Sequence, residues 1–333
     1  MVKLLSKISS VLPFSLFEIL IYIAVLSVII FLVYSFIYII RNPRKILSYL
    51  KNSLLNIISI VGIIYFLFII LWGINYNRME LKESLITYYN ETESENKEKI
   101  KYDKDDLIDL YGFLIEKCNE TREKVPEDKN KVMKCKSDYK NILQRAKTGY
   151  SNVSLLDLNK KGIYSTAKPI INSKLLCYTG ITGIYSPFTG EANINIATPQ
   201  IYIPFTTLHE MAHQRGYASE NEANFLAYIA CISNEDYDFQ YSGYILALIY
   251  VSSDLAKVDT TKLYKLNNNI SDDVIRDLNY NSEFWQKYEG KVNEVSDNMN
   301  NTYLKANGIE EGTASYGKMV NLLLTYYTLW GIK

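Results

Sequence analysis

Two long apolar runs lie near the start of the chain. Ile19–Ile40 and Leu54–Ile74 contain 22 and 21 residues without a charged side chain, nearly all of them large and apolar. In a helix that rises about 1.5 Å per residue, each run reaches ~30 Å, the thickness of the hydrocarbon core of a bilayer. Because both runs lack the alternation of a barrel strand, the pattern predicts two transmembrane helices with the lipid bilayer as their partner.

The pattern changes after residue 77 to amphipathic helices interrupted by short β-prone runs. Gly183–Tyr185 and Ala192–Ala197 read as strands, and the second alternates apolar with polar residues as a half-buried strand does. We therefore expect a mainly α protein with a small β-sheet (α+β). Its predicted organisation is a membrane anchor over residues 1–77 and a second domain over residues 78–333.

Two further helices are predicted beyond these strands. The first covers about 204–215, begins with Pro204 in its first turn and ends at Gly216. The second begins at Ser219, for which Glu222 stands in the position of a capping-box partner.

Charge is balanced over the chain but not along it. The chain holds 36 basic and 36 acidic residues, and residues 1–77 contain six of the basic but one of the acidic side chains. A net charge of zero argues against a nucleic-acid partner.

The loop between the two runs carries four basic residues and no acid, which favours a cytoplasmic loop. Two basic residues flank each outer end of the anchor and favour the opposite orientation. By four charges to two, we expect the second domain to be extracytoplasmic in a two-span membrane protein.

Four cysteines in 333 residues exclude a disulfide scaffold. Cys118 and Cys135 flank a predicted turn, so they either pair as a disulfide outside the cell or stay unpaired.

The histidines carry the clearest chemical signal. The chain has only His209 and His213, and Glu210 follows the first, so the whole histidine content forms one HExxH motif. Chance produces this pattern in about one of 2,700 such chains. Residues four apart share one helix face, where two imidazoles can bind one Zn²⁺. Glu210 is then placed to act as general base toward a water molecule.

A catalytic zinc needs a third protein ligand, and no other histidine exists. Glu220 and Glu222 are the nearest carboxylates, and we prefer Glu220, because the capping box gives Glu222 another role. Asn224, one turn beyond Glu220, is the candidate to hold the free nitrogen of a ligand histidine. For the oxyanion donor we expect a tyrosine or Arg215, with Tyr316 as the first guess.

The stretch HEMAHQRGYASENEANFLAY at 209–228 resembles the gluzincin type of zinc metallopeptidase, in which HExxH is joined by a glutamate on a following helix. The chain departs from that group in a shorter gap before Glu220 and in Asn224, which replaces the usual aspartate of membrane-bound members. The resemblance implies a zincin-like domain in which the strand before the active helix, here Ala192–Ala197, edges the cleft and pairs with extended substrate.

The whole chain is more similar to an uncharacterised family of bacterial membrane proteins. Four motifs carry this resemblance: WGINY at 72–76, YSPFTGEAN at 185–193, the HExxH stretch, and SYG at 315–317. It implies a membrane-anchored zinc metallopeptidase and specifies no substrate.

Three functions fit these observations. The first is a membrane-anchored hydrolase that binds one zinc ion per chain and cleaves peptide bonds in an unknown peptide or protein. The second is a metal-binding membrane sensor or interaction protein without turnover. The third is a zinc-dependent amidase that acts on the cell envelope, since the motif does not select which carbonyl is attacked.

Overall fold

The computed structural model describes residues 2–93, 100–151, 153, 164–306 and 317–331. Over these residues the chain is mostly helical with one three-stranded sheet, which confirms the predicted mixture of a helical majority and a small sheet.

The chain begins with a short helix and a pair of long apolar helices. These are α1 (Val2–Ser9), α2 (Leu16–Arg41) and α3 (Ile46–Leu71). The long helices have 26 residues each and are long and apolar enough to cross a membrane. In α2 only Glu18 is buried, and in α3 no residue is. Since their apolar side chains face outward, α2 and α3 are not core helices, and the prediction of two apolar N-terminal helices is confirmed.

The second of these helices ends earlier than the apolar run does. Trp72 is the first residue beyond α3, and the Asn75 side chain donates a hydrogen bond to its carbonyl at 3.0 Å. A short 3₁₀ turn, Gly73–Asn77, follows. Ile74, the predicted end of the second span, therefore lies in this turn.

The rest of the chain forms helices around the sheet. The remaining helices are α4 (Leu81–Glu93), α5 (Lys104–Arg122), α6 (Tyr139–Ala146), α7 (Ser173–Cys177), α8 (Ile203–Gln214), α9 (Glu220–Ile232), α10 (Tyr237–Val258), α11 (Thr260–Asn267), α12 (Asp272–Gln286), α13 (Lys291–Ala306) and α14 (Gly317–Trp330). The core lies where α10 packs against α5, α8, α9 and α14. Cys118, Cys135, Cys177 and Cys231 are free and buried, so the disulfide between Cys118 and Cys135 is not formed.

The sheet has the strand order β1-β3-β2, with β1 at Lys168–Pro169, β2 at Gly183–Ser186 and β3 at Glu191–Ile194. β2 and β3 form an antiparallel hairpin, and β1 joins the other side of β3 in parallel. The strand predicted over Ala192–Ala197 is thus β3, which begins one residue earlier and ends three residues earlier.

A buried carboxylate joins the start of α2 to the sheet. Both oxygens of Glu191 accept backbone hydrogen bonds, from Leu16 N at 3.1 Å and from Phe17 N at 2.9 Å. The first amides of a helix have no partner within the helix and carry partial positive charge, so a carboxylate satisfies them well. Glu191 also pairs with the buried ammonium of Lys168, which donates to Ser9 O at 2.7 Å.

A second carboxylate makes the reciprocal connection from the helix to the domain. Glu18, in the first turn of α2, accepts from the backbone amides of Ile171 at 2.8 Å and Asn172 at 3.1 Å. Further toward the N-terminus, Gln214 at the end of α8 donates to the Ser6 hydroxyl at 3.1 Å. The start of α2 and the preceding α1 are therefore held to the domain by buried polar contacts.

We expect Glu191→Gln to destabilise the full-length protein by about 3 kcal/mol, because it leaves the buried Lys168 ammonium without its counter-charge. Denaturant unfolding of the purified chain in detergent measures this change. Glu120→Gln is the matched control, since Glu120 pairs with Lys117 on the surface at 3.0 Å, and such pairs contribute less than about 1 kcal/mol. Equal effects of the two substitutions would contradict the assigned role of Glu191.

Candidate metal centre

The helix that carries both histidines ends directly after them. Gly216 adopts φ = +84°, a left-handed conformation that glycine takes at low cost. Its amide donates to His213 O at 2.8 Å, and the amide of Tyr217 donates to Ala212 O at 3.3 Å, so the last carbonyls of α8 are satisfied. The chain then turns back, and α9 begins four residues later.

This turn brings Glu220 to the two histidines. The Nε2 atoms of His209 and His213 are 3.1 Å apart, and Glu220 lies 3.1 Å from the first and 3.6 Å from the second. Two ligands at about 2.05 Å from a tetrahedral zinc are about 3.3 Å apart. All three separations are close to that value, so this cluster of two imidazoles and one carboxylate fits a zinc ion.

Glu222, the alternative third ligand, lies elsewhere. Residues two apart on a helix point about 200° from each other, so Glu220 and Glu222 cannot face the same site. The Glu222 carboxylate accepts a hydrogen bond from Leu81 N at 2.5 Å, at the first residue of α4. It does not form the predicted capping box, because Ser219 makes no side-chain hydrogen bond to its own helix.

Glu210 is buried beside the cluster, against β2. A methyl group on Gly183 would lie 2.5 Å from a carboxylate oxygen of Glu210, so only glycine leaves room for it. The amide of Tyr185 donates to the same carboxylate. Burial raises the pKa of Glu210, although the two imidazoles act in the opposite direction. A carboxylate with a raised pKa is suited to accept and return a proton near neutral pH.

The orientation of the histidines depends on a backbone group. His213 Nδ1 lies 2.6 Å from Tyr217 O, an arrangement that places the proton on Nδ1 and leaves Nε2 free for a metal. Asn224, predicted to hold a histidine nitrogen, makes no hydrogen bond to either one among the described residues, but lines the cavity with a buried, unpartnered Nδ2. The carbonyl of Tyr217 takes the role predicted for Asn224, because the turn at Gly216 brings the backbone back to the end of α8.

Of the two residues predicted as oxyanion donors, Arg215 is not at the site. The Arg215 guanidinium is buried between the rings of Tyr150, at 4.3 Å, and Tyr164, at 4.5 Å, and donates to Met211 O. It does not line the cavity in front of the histidines. Tyr316 lies outside the described residues.

Five tyrosines line that cavity, and two of them, which the sequence reasoning did not single out, are joined by a hydrogen bond. Tyr76 follows the second apolar helix and Tyr303 lies on α13. Tyr303 Oη accepts hydrogen bonds from Trp72 Nε1 at 3.1 Å and from the Tyr76 hydroxyl at 3.2 Å. Burial raises the pKa of Tyr303, and its interaction with Glu220 adds to the rise, so the phenol stays protonated near neutral pH. Tyr76 belongs to the WGINY motif, the only sequence signal that pointed to this group.

The cavity in front of the cluster has a volume of about 830 Å³ and four walls. One wall is the end of the apolar pair, with Phe68, Trp72 and Tyr76. A second is the chain from Thr179 to Tyr185, which includes most of β2. The third consists of α8 and α9 with the candidate ligands, together with Leu246 and Tyr250 of α10, and the fourth is α13.

The strand at the edge of this cavity is β2 and not β3. β3 is the central strand and has a neighbour on each side, so the prediction that it pairs with substrate is wrong. Thr182 O accepts from Asn195 N at 2.9 Å, and bonded pairs alternate along an antiparallel ladder. The backbone groups of Gly183 and Tyr185 therefore point to the free edge of β2. Sequence order alone does not determine which strand of a hairpin is the outer one.

The profile of one protein family, described as a protein of unknown function (DUF3810), matches residues 1–324. The chain belongs to this family. The match confirms the resemblance to an uncharacterised family, and it spans the apolar pair and the domain together. No curated protein and no solved structure matches the DUF3810 chain.

The cluster of the DUF3810 chain is electrostatically coupled. Burial acts to lower the pKa of His213, but the Glu220 carboxylate outweighs it and raises the pKa to about 9. Burial acts to raise the pKa of Glu220, but the two imidazoles hold it well below its ordinary value. Near neutral pH, His213 is thus protonated and Glu220 ionised when no metal competes for them.

The raised pKa of His213 in the folded state stabilises the fold. This contribution is fully present below the unfolded pKa of about 6.5 and is lost as the pH rises through about 9. We therefore expect the free energy of unfolding of chelator-treated protein to fall from pH 6.5 to pH 9 by more in the wild type than in His213→Gln. Thermal unfolding in detergent across this pH range measures the difference. Parallel pH profiles for the two proteins would show that the pair does not titrate in this way.

Proposed function

We propose that this chain is a membrane-anchored zinc metallopeptidase. The observation that carries the proposal is the arrangement of His209, His213 and Glu220, whose ligand atoms all lie within 4.8 Å of one another, with the buried carboxylate of Glu210 beside them. Structural zinc sites use four Cys or His ligands, whereas catalytic sites use three protein ligands and keep a position open. The open side of this cluster faces a cavity large enough for a peptide.

The surroundings also support a zincin-like domain. An active helix, a free strand edge along the cavity and a third ligand on the following helix are the parts that the gluzincin resemblance implies. The zinc ion would act as a Lewis acid and lower the pKa of a water molecule to about 7. Glu210 accepts the proton of that water and returns it to the leaving amine, a role for which its raised pKa suits it.

Tyr303 is the oxyanion donor in this proposal. Its oxygen already accepts two hydrogen bonds, from Trp72 and Tyr76, which aligns the hydroxyl and strengthens it as a donor. A neutral phenol in a partly buried site is the kind of group that stabilises negative charge as it develops on a carbonyl oxygen.

The membrane is the second part of the proposal. The apolar helices α2 and α3 cross the bilayer. Arg44 and Lys45 in the turn between them, with Arg41 at the end of α2 and Lys51 near the start of α3, remain on the cytoplasmic side. Both ends of the pair join the domain, so the domain and the metal site lie on the extracytoplasmic face.

Metal content separates the two candidate glutamates. We expect about one zinc per full-length chain by elemental mass spectrometry, lost in His213→Ala and Glu220→Ala. Glu222→Ala is the matched control. It also removes a carboxylate, two residues further along α9, but this carboxylate contacts α4 and not the cluster, so the variant should keep its zinc. Loss of zinc in Glu222→Ala alone, or no zinc in folded wild-type protein, would overturn the proposed site.

Turnover separates a peptidase from a metal-binding sensor. Glu210→Gln should keep its zinc and lose peptidase activity by about 10²–10⁴-fold, the contribution of a general base. A mixture of quenched fluorescent peptides provides the assay, and Glu120→Gln, on the surface, is the control. Full activity in Glu210→Gln would show that this carboxylate is not the base.

Tyr303→Phe should lower kcat by about 10²–10³-fold with little change in KM, because the lost hydrogen bond forms only as the oxyanion develops. Zinc content should not change. Tyr264→Phe is the matched control, since that ring is 69 % exposed on α11. If kcat/KM falls by the same factor because KM rises while kcat stays unchanged, Tyr303 acts in substrate binding and not as the oxyanion donor.

A further inference from the structure

The cavity extends to the proposed membrane span itself. Phe68 lies within α3, three residues before its last residue, and lines the cavity together with Trp72. The ring of Tyr303 packs edge-on against Phe68 with the ring centres 6.2 Å apart. Because a helix rises about 1.5 Å per residue, Phe68 lies ~5 Å from the end of α3. One end of the cavity therefore opens at the level where α3 leaves the bilayer.

An apolar stripe leads from this opening along the cavity. Val292, Val295, Met299 and Tyr303 recur at intervals of three or four residues and lie on one face of α13. All four line the cavity, yet they are 58 %, 57 %, 68 % and 39 % exposed. Val292, Val295 and Met299 thus present largely exposed apolar side chains to the cavity. Tyr303, which packs against Phe68 and bonds to Trp72 and Tyr76, is the membrane-side end of the stripe.

The opposite wall offers backbone groups. Both backbone groups of Gly183 and the carbonyl of Tyr185 lie at the outer edge of β2 along the same cavity, while the Tyr185 amide already donates to Glu210. The space between this edge and the stripe forms a slot. Val292 and Tyr303 are eleven residues apart on a helix, or ~17 Å. That length accommodates about five residues of an extended strand at ~3.3 Å each. A strand edge on one side and apolar side chains on the other suit an extended polypeptide.

The charges of the lining favour a polypeptide over a phospholipid. The charged residues that line the described cavity are Glu210, Glu220 and Asp297, and the lining includes no lysine or arginine. Away from the metal cluster, an anionic headgroup would meet the Asp297 carboxylate without a lysine or arginine to pair with, which is unfavourable. A neutral or basic polypeptide meets no such penalty.

We propose that the substrate is the membrane-proximal segment of another membrane-anchored polypeptide, which enters the slot from the bilayer beside Phe68. The inference rests on the proposed peptidase function and adds the class of substrate. The bond to be cleaved lies within about five residues of the membrane surface, since the slot holds no more than that length in extended form.

The test uses the full-length protein in vesicles of phosphatidylcholine with a minor fraction of phosphatidylglycerol. The probe is a peptide library with about ten randomised residues, twice the capacity of the slot. One form is joined directly to an inserting apolar helix of about 20 residues, and a second form carries a flexible Gly/Ser spacer of about 20 residues between the two parts. Mass spectrometry of the products gives the rate and position of cleavage.

The spacer form is the decisive control, because both forms are confined to the same membrane and differ only in distance from it. We expect cleavage of the direct form within about five residues of the helix, and at least tenfold slower cleavage of the spacer form. Val295→Asp should reduce cleavage of the direct form at least tenfold, because it places a charge in the apolar stripe. Asn298→Asp is the matched control, since it adds the same charge to an exposed position of α13 outside the cavity and should leave cleavage unchanged.

Equal cleavage of the two forms at scattered positions would overturn the membrane-proximal substrate and leave the peptidase intact. Hydrolysis of the vesicle phospholipid without peptide cleavage would overturn it in favour of a lipid substrate. No hydrolysis of either peptide form by zinc-loaded protein, in a preparation that also spares the soluble fluorescent peptides, would overturn the proposed function together with this inference.

Discussion

Trp72 is the first residue after the second apolar helix, and its indole contacts several parts of the site at once. The ring packs edge-on against His213 with the ring centres 5.6 Å apart, lies 4.9 Å from the ring of Tyr185, and donates its N–H to Tyr303. It is 5 % exposed. An indole that is wedged in this way fixes the ligand histidine, the edge strand and α13 relative to the end of α3. The position of α3 therefore affects the geometry of the candidate metal cluster directly.

The local parts of this arrangement follow from the sequence because they depend on short-range periodicity. His209 and His213 share a helix face whatever the tertiary structure is, since four residues make about one turn. Gly216 ends α8 because a left-handed residue is needed there. The helical period also makes Glu220 and Glu222 mutually exclusive as ligands, and places Asn224 on the same face as Glu220. What the period does not specify is which face of α9 turns toward α8, and only packing decides that.

The non-local parts could not be predicted because they depend on pairings across long stretches of chain. β1 inserts beside β3 from the other side of the hairpin, and this makes β2 the edge strand. Glu222 contacts Leu81, 141 residues away, and Tyr303 reaches Trp72 across 231 residues. The local pattern around Glu222 does not indicate its contact with α4, and that around Tyr303 does not mark it as part of a site. A tyrosine on an amphipathic helix has the same sequence signature whether it packs, faces solvent or lines a cavity.

The apolar pair carries polar residues that a simple tether would not need. A helix that only anchors a domain requires apolar side chains and no more. Here Ser15 and Glu18 at the start of α2 are buried, as is Ser6 of the preceding α1. Glu18 binds backbone amides of the domain, while Glu191 of the domain binds those of α2. Such reciprocal contacts hold orientation as well as distance, because each carboxylate must meet specific amides. This explains in physical terms why one family profile covers the pair and the domain together: with the α3 end forming one wall of the cavity, the orientation of the pair sets the shape of the site.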